Sequence, residues 1–230
     1  MKKLLFTLAA SMLFCSVAAA SPLMDYSSGK ASIDLMWNDT KTTTTGYESL
    51  DASKKFNLDS SITLGLGNNF ALQYRNFEPK GIYTTAYSSV ITSYIGMKTY
   101  EINVLKKLNN SNVAVFFGVA PTRIMEGYEI SALTGFSENN YGGTKNNWQV
   151  GFITEQNIGS KTKIYEQAAI GKKWTNLECG VSYPITTNIE FNANYRYIKA
   201  KDLPLPYSNY ITNYYNVIAK GLGVGVTYKF

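Results

Sequence analysis

Along most of the chain, apolar side chains recur at every second position. The clearest run closes the sequence, where Leu222, Val224, Val226, Tyr228 and Phe230 alternate with Gly221, Gly223, Gly225, Thr227 and Lys229. A period of two sets the first group on one face of a β-strand and the second on the other. Ile33, Leu35 and Trp37 repeat the design, as do Phe56, Leu58, Ile62 and Leu64, then Phe70, Leu72 and Tyr74, then Tyr100, Ile102 and Val104. Val113 to Val119, Trp148 to Phe152, Leu177 to Tyr183 and Ile189 to Tyr197 follow the same rule. The segment 163–171 is the weakest strand, because Glu166 and Gln167 are adjacent and both cannot avoid the apolar face. With it, the alternation predicts ten strands; eight is the alternative. Beyond residue 20, no stretch sustains a helical stripe or reaches the ~20 apolar residues of a spanning helix.

The connections alternate in length. Short turns are expected at 67–69, 108–112, 158–162 and 184–188, and long loops at 39–52, 78–96, 123–147 and 199–214. The link at 172–176 is short although it falls on the long-loop side. Short turns at one end and long loops at the other is the layout of a transmembrane barrel, and an even strand number puts both termini at the short-turn end.

A secreted sandwich would bury the apolar face, whereas a membrane barrel shows it to lipid and turns the polar face inward. The polar face here collects Asp34, Asp59, Glu101, Glu178 and Glu190 together with Arg75, Arg196 and Lys229, a set able to pair its charges. Aromatic residues gather towards strand ends: Trp37, Phe56, Tyr100 and Trp148 at one, Phe70, Tyr183, Tyr228 and Phe230 at the other. Two such belts fit two membrane interfaces. The expected fold is all-β, an antiparallel up-and-down transmembrane β-barrel over residues 21–230.

Residues 1–20 read as a signal peptide, with Lys2-Lys3, an apolar stretch from Leu4 to Val17, and Ala18-Ala19-Ala20 before the cleavage point. Phe14 is bulky where a lipobox before Cys15 needs a small residue, so cleavage is expected rather than lipidation. Cys179 then has no partner for a disulfide and reads as a small strand residue.

Composition narrows the chemistry. The 230 residues include no His, which removes Ser/His/Asp and Cys/His catalysis and His-based zinc sites. Charged residues are 17% and hydrophobic residues 45%, which excludes a charge-driven disordered chain. Eighteen Tyr residues suit a protein whose surface crosses interfaces. No phosphate-binding glycine loop, metal cluster or cofactor motif is present, so no cofactor is expected. The net charge of +6 does not point to nucleic acid in an exported chain. Lys54, Lys55, Lys172, Lys173, Lys199 and Lys201 instead fall near the outer rim, where lipopolysaccharide phosphates would lie.

The ending Val224, Val226, Tyr228 and Phe230 resembles the C-terminal assembly signal of bacterial outer-membrane barrels. With the signal peptide, the chain resembles the small outer-membrane, porin-like β-barrel family that includes the OmpA membrane domain and OmpX. That resemblance implies escort by periplasmic chaperones, insertion by the barrel-assembly machinery, and residence in the bacterial outer membrane. A peptidoglycan-binding module of the kind carried by full-length OmpA is not expected after Phe230.

About eight strands give an interior just filled by side chains, and about sixteen leave a channel. A ten-stranded barrel is therefore expected to be filled by a salt-bridged polar interior. The alternative at this level is a thin water path opened by Gly118, Gly180, Gly221, Gly223 and Gly225. The expected role is structural or that of a narrow pore, in a monomer. Enzymatic action is not expected: barrel proteases, phospholipases and acyltransferases of this size resemble the chain in architecture but use an essential His. The second functional reading is surface recognition through the long loops, where Tyr207, Tyr210, Tyr214 and Tyr215 offer contact area at low entropy cost.

Overall fold

The computed structural model describes residues 22–46, 49–83, 91–130, 136–205 and 214–230. Among them, thirteen strands form one antiparallel sheet. In chain order these are β1 (Ala31–Gly46), β2 (Leu50–Gly67), β3 (Phe70–Phe77), β4 (Lys80–Tyr83), β5 (Ile91–Lys107), β6 (Val113–Val119) and β7 (Thr122–Ile130). Then come β8 (Phe136–Tyr141), β9 (Trp148–Ile158), β10 (Thr162–Ile170), β11 (Trp174–Pro184), β12 (Ile189–Pro204) and β13 (Tyr214–Lys229). The last strand pairs with the first, from Ser32 opposite Lys229 to Gly46 opposite Tyr215, and this closes the ring.

Thirteen strands make ten staves. β3 and β4 both lie between β2 and β5 and are one stave broken at Glu78-Pro79. β6 and β7 both pair with β5 and are one stave broken at Ala120-Pro121. Proline cannot donate to the ladder, so regular pairing stops at each. The chain still carries through, because Met97 N–H donates to Pro79 O and Tyr100 N–H to Pro121 O, each at 3.1 Å. β8 and β9 face β7 and β6 in turn, with a Thr122–Lys145 bridge between them. Among the described residues the staves number ten on this grouping, including β10, the strand that the adjacent Glu166 and Gln167 weakened in the sequence.

The short turns fall where expected. At 67–69, the chain needs three successive left-handed residues, Gly67 (φ 85°), Asn68 (φ 52°) and Asn69 (φ 64°), and Gly and Asn tolerate that region best. The long loops need correction. β1 runs to Gly46 and β2 starts at Leu50, so most of 39–52 belongs to these two strands. Likewise β4 and β5 enter 78–96, β7 and β8 enter 123–147, and β12 extends to Pro204. Tyr207 and Tyr210 lie outside the described residues, as does 1–20.

The distribution of side chains is inside-out for a soluble protein. Phe56 and Trp148 on the outer face are 73% and 63% exposed, while Glu101 and Asn103 on the inner face are fully buried. Both aromatic belts point outward. Inner polar and outer apolar surfaces are what a lipid solvent selects, and a sandwich cannot produce them.

Candidate functional site

Among the described residues, the interior is where the sheet gathers the buried polar and charged side chains, and it is stacked in three layers. The middle layer is ionic. Glu178 on β11 stands at its centre and accepts from two guanidinium groups. Arg196 on β12 donates to it through Nε and Nη2, both at 2.9 Å, and Arg75 on β3 reaches the same Oε2 from the far wall. Arg196 also holds Asp59 on β2 at 2.5 Å, and Arg75 Nη1 lies 3.5 Å from Glu101 on β5. Asn38 donates to Asp59 and Asn176 to Glu101, each at 2.8 Å. Asp34 takes no cation; it accepts from Ser61 and from Thr227 Oγ1 (2.6 Å). Phe77 carries both guanidinium groups against its ring, at 4.6 Å from Arg75 and 4.3 Å from Arg196. Buried charges need both pairing and hydrogen bonds, and the network supplies both to Glu178, Arg196 and Asp59, while Asp34 has hydrogen bonds alone.

Towards the short-turn end, Glu190 forms a second, smaller cluster. It accepts from Lys229 (2.8 Å), Ser182 (2.9 Å) and Lys163 (3.1 Å), and Lys163 also lies 3.4 Å from Glu155. Beside it, residues 22–30 fold into the mouth of the barrel. Met24 and Tyr26 pack on Ala71, Leu105, Ala114, Phe116, Ile153 and Ala169. Lys107 Nζ donates to Met24 O at 2.9 Å and Gly67 N–H to Tyr26 O at 2.8 Å. Gly65 lets this segment approach, since a Cβ there would sit 2.4 Å from Ser27 O.

Towards the long-loop end, the interior is apolar. Phe77, Ile95, Met97, Ile124, Trp174, Ile198, Leu203, Tyr215 and Val217 form a single buried cluster. A polar chain ties it to the ionic layer: Trp174 Nε1 donates to Gln149 (2.7 Å), Gln149 to Asn103 (2.7 Å), and Asn103 to Gln73 (3.1 Å).

All the sequence-predicted interior residues reach the inner face. Asp34, Asp59, Arg75, Glu101, Glu178 and Arg196 meet in the middle layer; Glu190 and Lys229 meet nearer the mouth. Val224, Val226, Tyr228 and Phe230 point outward on β13. Sequence reasoning put Gln73 and Gln149 on the polar face without singling them out, and missed Lys163, Tyr165 and Trp174, although the positions of Lys163 and Tyr165 in the alternation of β10 carried the signal. It also missed the apolar upper layer.

Three of the glycines thought to open a water path do not open one. A Cβ at Gly118 would lie 2.0 Å from Asn103 Oδ1, at Gly223 2.1 Å from Asn38 and Asn194 Oδ1, and at Gly225 2.3 Å from Met36 Sδ. Neighbours already occupy that space. A cavity of about 20 Å³ remains beside the ionic layer, bordered by Asp34, Arg75, Tyr165 and Glu178. That is room for a water molecule or two.

Residues 6–230 match the family described as the outer membrane protein beta-barrel domain. The chain belongs to that family. Among solved structures, the outer-membrane barrel resembles Ail, the attachment invasion locus protein of Yersinia pestis, at 12% identity and a TM-score of 0.46 over 88% of this chain and 99% of that one. It also resembles the outer membrane protease OmpT of Escherichia coli, at 10% identity and a TM-score of 0.49 over 87% and 96%. Neisserial surface protein A matches at 18% identity and a TM-score of 0.38 over 88% and 98%. Likenesses this loose transfer no activity. No curated protein sequence matches the chain. Family membership places the barrel in the bacterial outer membrane, with short turns towards the periplasm and the extended hairpins outside.

Proposed function

We propose that this protein is a closed, non-enzymatic barrel with a structural role in the outer membrane. The observation that carries the reading is the three-layer filling. Met24 and Tyr26 occupy the periplasmic mouth, paired charges the middle, and an apolar cluster the outer half. An ion would have to displace all three. The lumen carboxylates are engaged by cations, hydroxyls or amides, which leaves none poised as a free general base. The mature chain begins after residue 20, acts as a product of periplasmic chaperones and the barrel-assembly machinery, and meets lipopolysaccharide at its Lys-rich outer rim.

Single-channel recording of the refolded chain in a planar bilayer tests this. The expected trace is silent at all voltages the bilayer tolerates, and steady discrete openings would overturn the closed-barrel reading.

A second reading, surface recognition, has one observation in its favour. Crossing a bilayer takes about 9–11 tilted residues, whereas β1, β12 and β13 each have 16 and β2 has 18. The sheet therefore continues outside the membrane as a rigid platform beneath the loops. Binding to host-cell surfaces that disappears when the β12–β13 loop is shortened, with the barrel still folded, would favour recognition over a purely structural role.

A further inference from the structure

The lipid-facing belt is largely apolar, with Ser60 and Asn76 as neutral polar members on β2 and β3, and among the described residues it carries a carboxyl in the middle of a crossing at one place. On β10, the alternation turns Gln167 inward, where it is 4% exposed, and leaves Glu166 on the outer face. β10 has nine residues, Thr162–Ile170, and Glu166 is the middle one. Nine residues is about one membrane crossing. The carboxyl thus stands near the centre of the bilayer, with Ile164 and Ala168 as its neighbours along the same face. Among the described residues it has no hydrogen-bond or ion-pair partner.

The surroundings of Glu166 are also unusual. Directly across the ladder stand Thr154 on β9 and Cys179 on β11, and Gln156 stands across from Ile164. Cross-strand partners share a face and sit about 5 Å apart, so Glu166, Thr154 and Gln156 form one polar patch. Exposed Val150, Ile158, Ile170, Leu177 and Tyr183 surround it. On the wall formed by β1, β13 and β12 the corresponding positions are apolar, with Val226 standing between Leu35 and Phe191.

A lone ionisable side chain at membrane depth is costly and marks a contact that satisfies it. Lipid tails cannot supply a donor. A second copy of this chain can, because the patch holds an acceptor and two donors side by side. A two-fold axis along the membrane normal, passing between β9 and β10, sets each Glu166 against the Thr154 hydroxyl and Gln156 amide of the other copy. Such a surface is self-complementary, as a closed dimer requires. Ala168 at the same place lets the two walls approach closely. We propose that the β9–β10–β11 face is the seam of a homodimer within the membrane, in place of the monomer expected from the sequence.

The test uses the full mature chain in lipid vesicles, labelled at Lys161→Cys in a Cys179→Ser background, with energy transfer between donor- and acceptor-labelled copies. Transfer should rise with the protein-to-lipid ratio and saturate as a dimer does. Glu166→Leu should weaken association about tenfold, Thr154→Val should weaken it less, and Leu64→Ala on the opposite wall should leave it unchanged. Circular dichroism and urea unfolding establish that each variant still forms the barrel. A wild-type chain that stays monomeric at every ratio overturns the proposal. So does a dimer indifferent to Glu166→Leu, which would place the seam elsewhere.

Discussion

On β12, the inner face reads Glu190, Asn192, Asn194, Arg196 and then changes to Ile198 and Ala200, while the outer face passes from Phe191 and Tyr195 to Lys199 and Lys201. β5 does the same in reverse order: Ile95 and Met97 point inward beside an outward Lys98, and farther along Glu101 and Asn103 point inward beside outward Ile102 and Val104. The membrane half and the outer half of the barrel thus have opposite polarity on a continuous sheet. The solvent explains it. Where lipid lies outside, polar groups are cheapest in the lumen, and they must pair there. Where water lies outside, the same ring behaves as a small soluble barrel and buries apolar side chains. In the closed-barrel reading proposed above, neither solvent reaches the centre of the lumen.

The comparison breaks most visibly at Glu178. Glu178→Leu leaves Arg75 and Arg196 facing each other without their shared carboxylate. Losing one partner of a buried ion pair costs about 3–5 kcal/mol. The expected result is a barrel that refolds poorly or unfolds at much lower urea concentration. Double replacement of Glu178 and Arg196 by apolar residues should recover part of the loss, since a buried pair replaced whole costs far less than one that is halved.

In the outer half, the same kind of test should find packing rather than charge. Met97→Ala opens a hole in the apolar cluster and should cost about 2–5 kcal/mol, read from the urea midpoint in detergent. The loss should be indifferent to salt. Ile198→Asn, which extends the polar face of β12 by one position into the apolar layer, should cost about 1–3 kcal/mol by burying an amide without partners.

This change of polarity is also why the sequence was legible only in part. The membrane crossings showed clearly, since outward Leu222, Val224 and Val226 alternate with inward small or polar residues and the short turns carry Gly and Asn. Beyond the bilayer the inward and outward roles exchange, and at that exchange the alternation reads as a strand ending. Residues 39–46, 50–52 and 199–204 accordingly looked like loops although they continue the sheet. The candidate interior was legible as a face but not as a set of contacts. Alternation puts Arg75, Glu178 and Arg196 inward without saying that Glu178 takes both guanidinium groups, because that pairing depends on ring closure between strands far apart in sequence. Pro79 and Pro121 interrupt strands, and only the ladder shows that each interruption lies within a single stave.

The mildest contrast sets the buried carboxylate Glu178 against an exposed one outside the membrane. Asp202, at the outer end of β12, is paired with Lys173, and the hydrogen bond from that lysine holds the carboxyl below its ordinary value of 3.8. A lowered folded value means the contribution to stability is present above 3.8 and fades as pH falls through the depressed folded value. Both side chains are substantially exposed, 31% for Lys173 and 41% for Asp202, so solvent screening limits the pair to at most about 1 kcal/mol. Asp202→Asn should therefore lower the urea midpoint slightly at pH 7 and not at all at a pH well below 3.8. The small difference at pH 7 should shrink further in high salt, because an exposed pair is screened over about 10 Å at 0.1 M ionic strength. If the lumen is closed as proposed, the effect of Glu178→Leu should persist in the same salt, since counterions are kept from the buried network. If both substitutions responded to salt alike, the lumen would be open to solvent and the difference between the two environments would disappear.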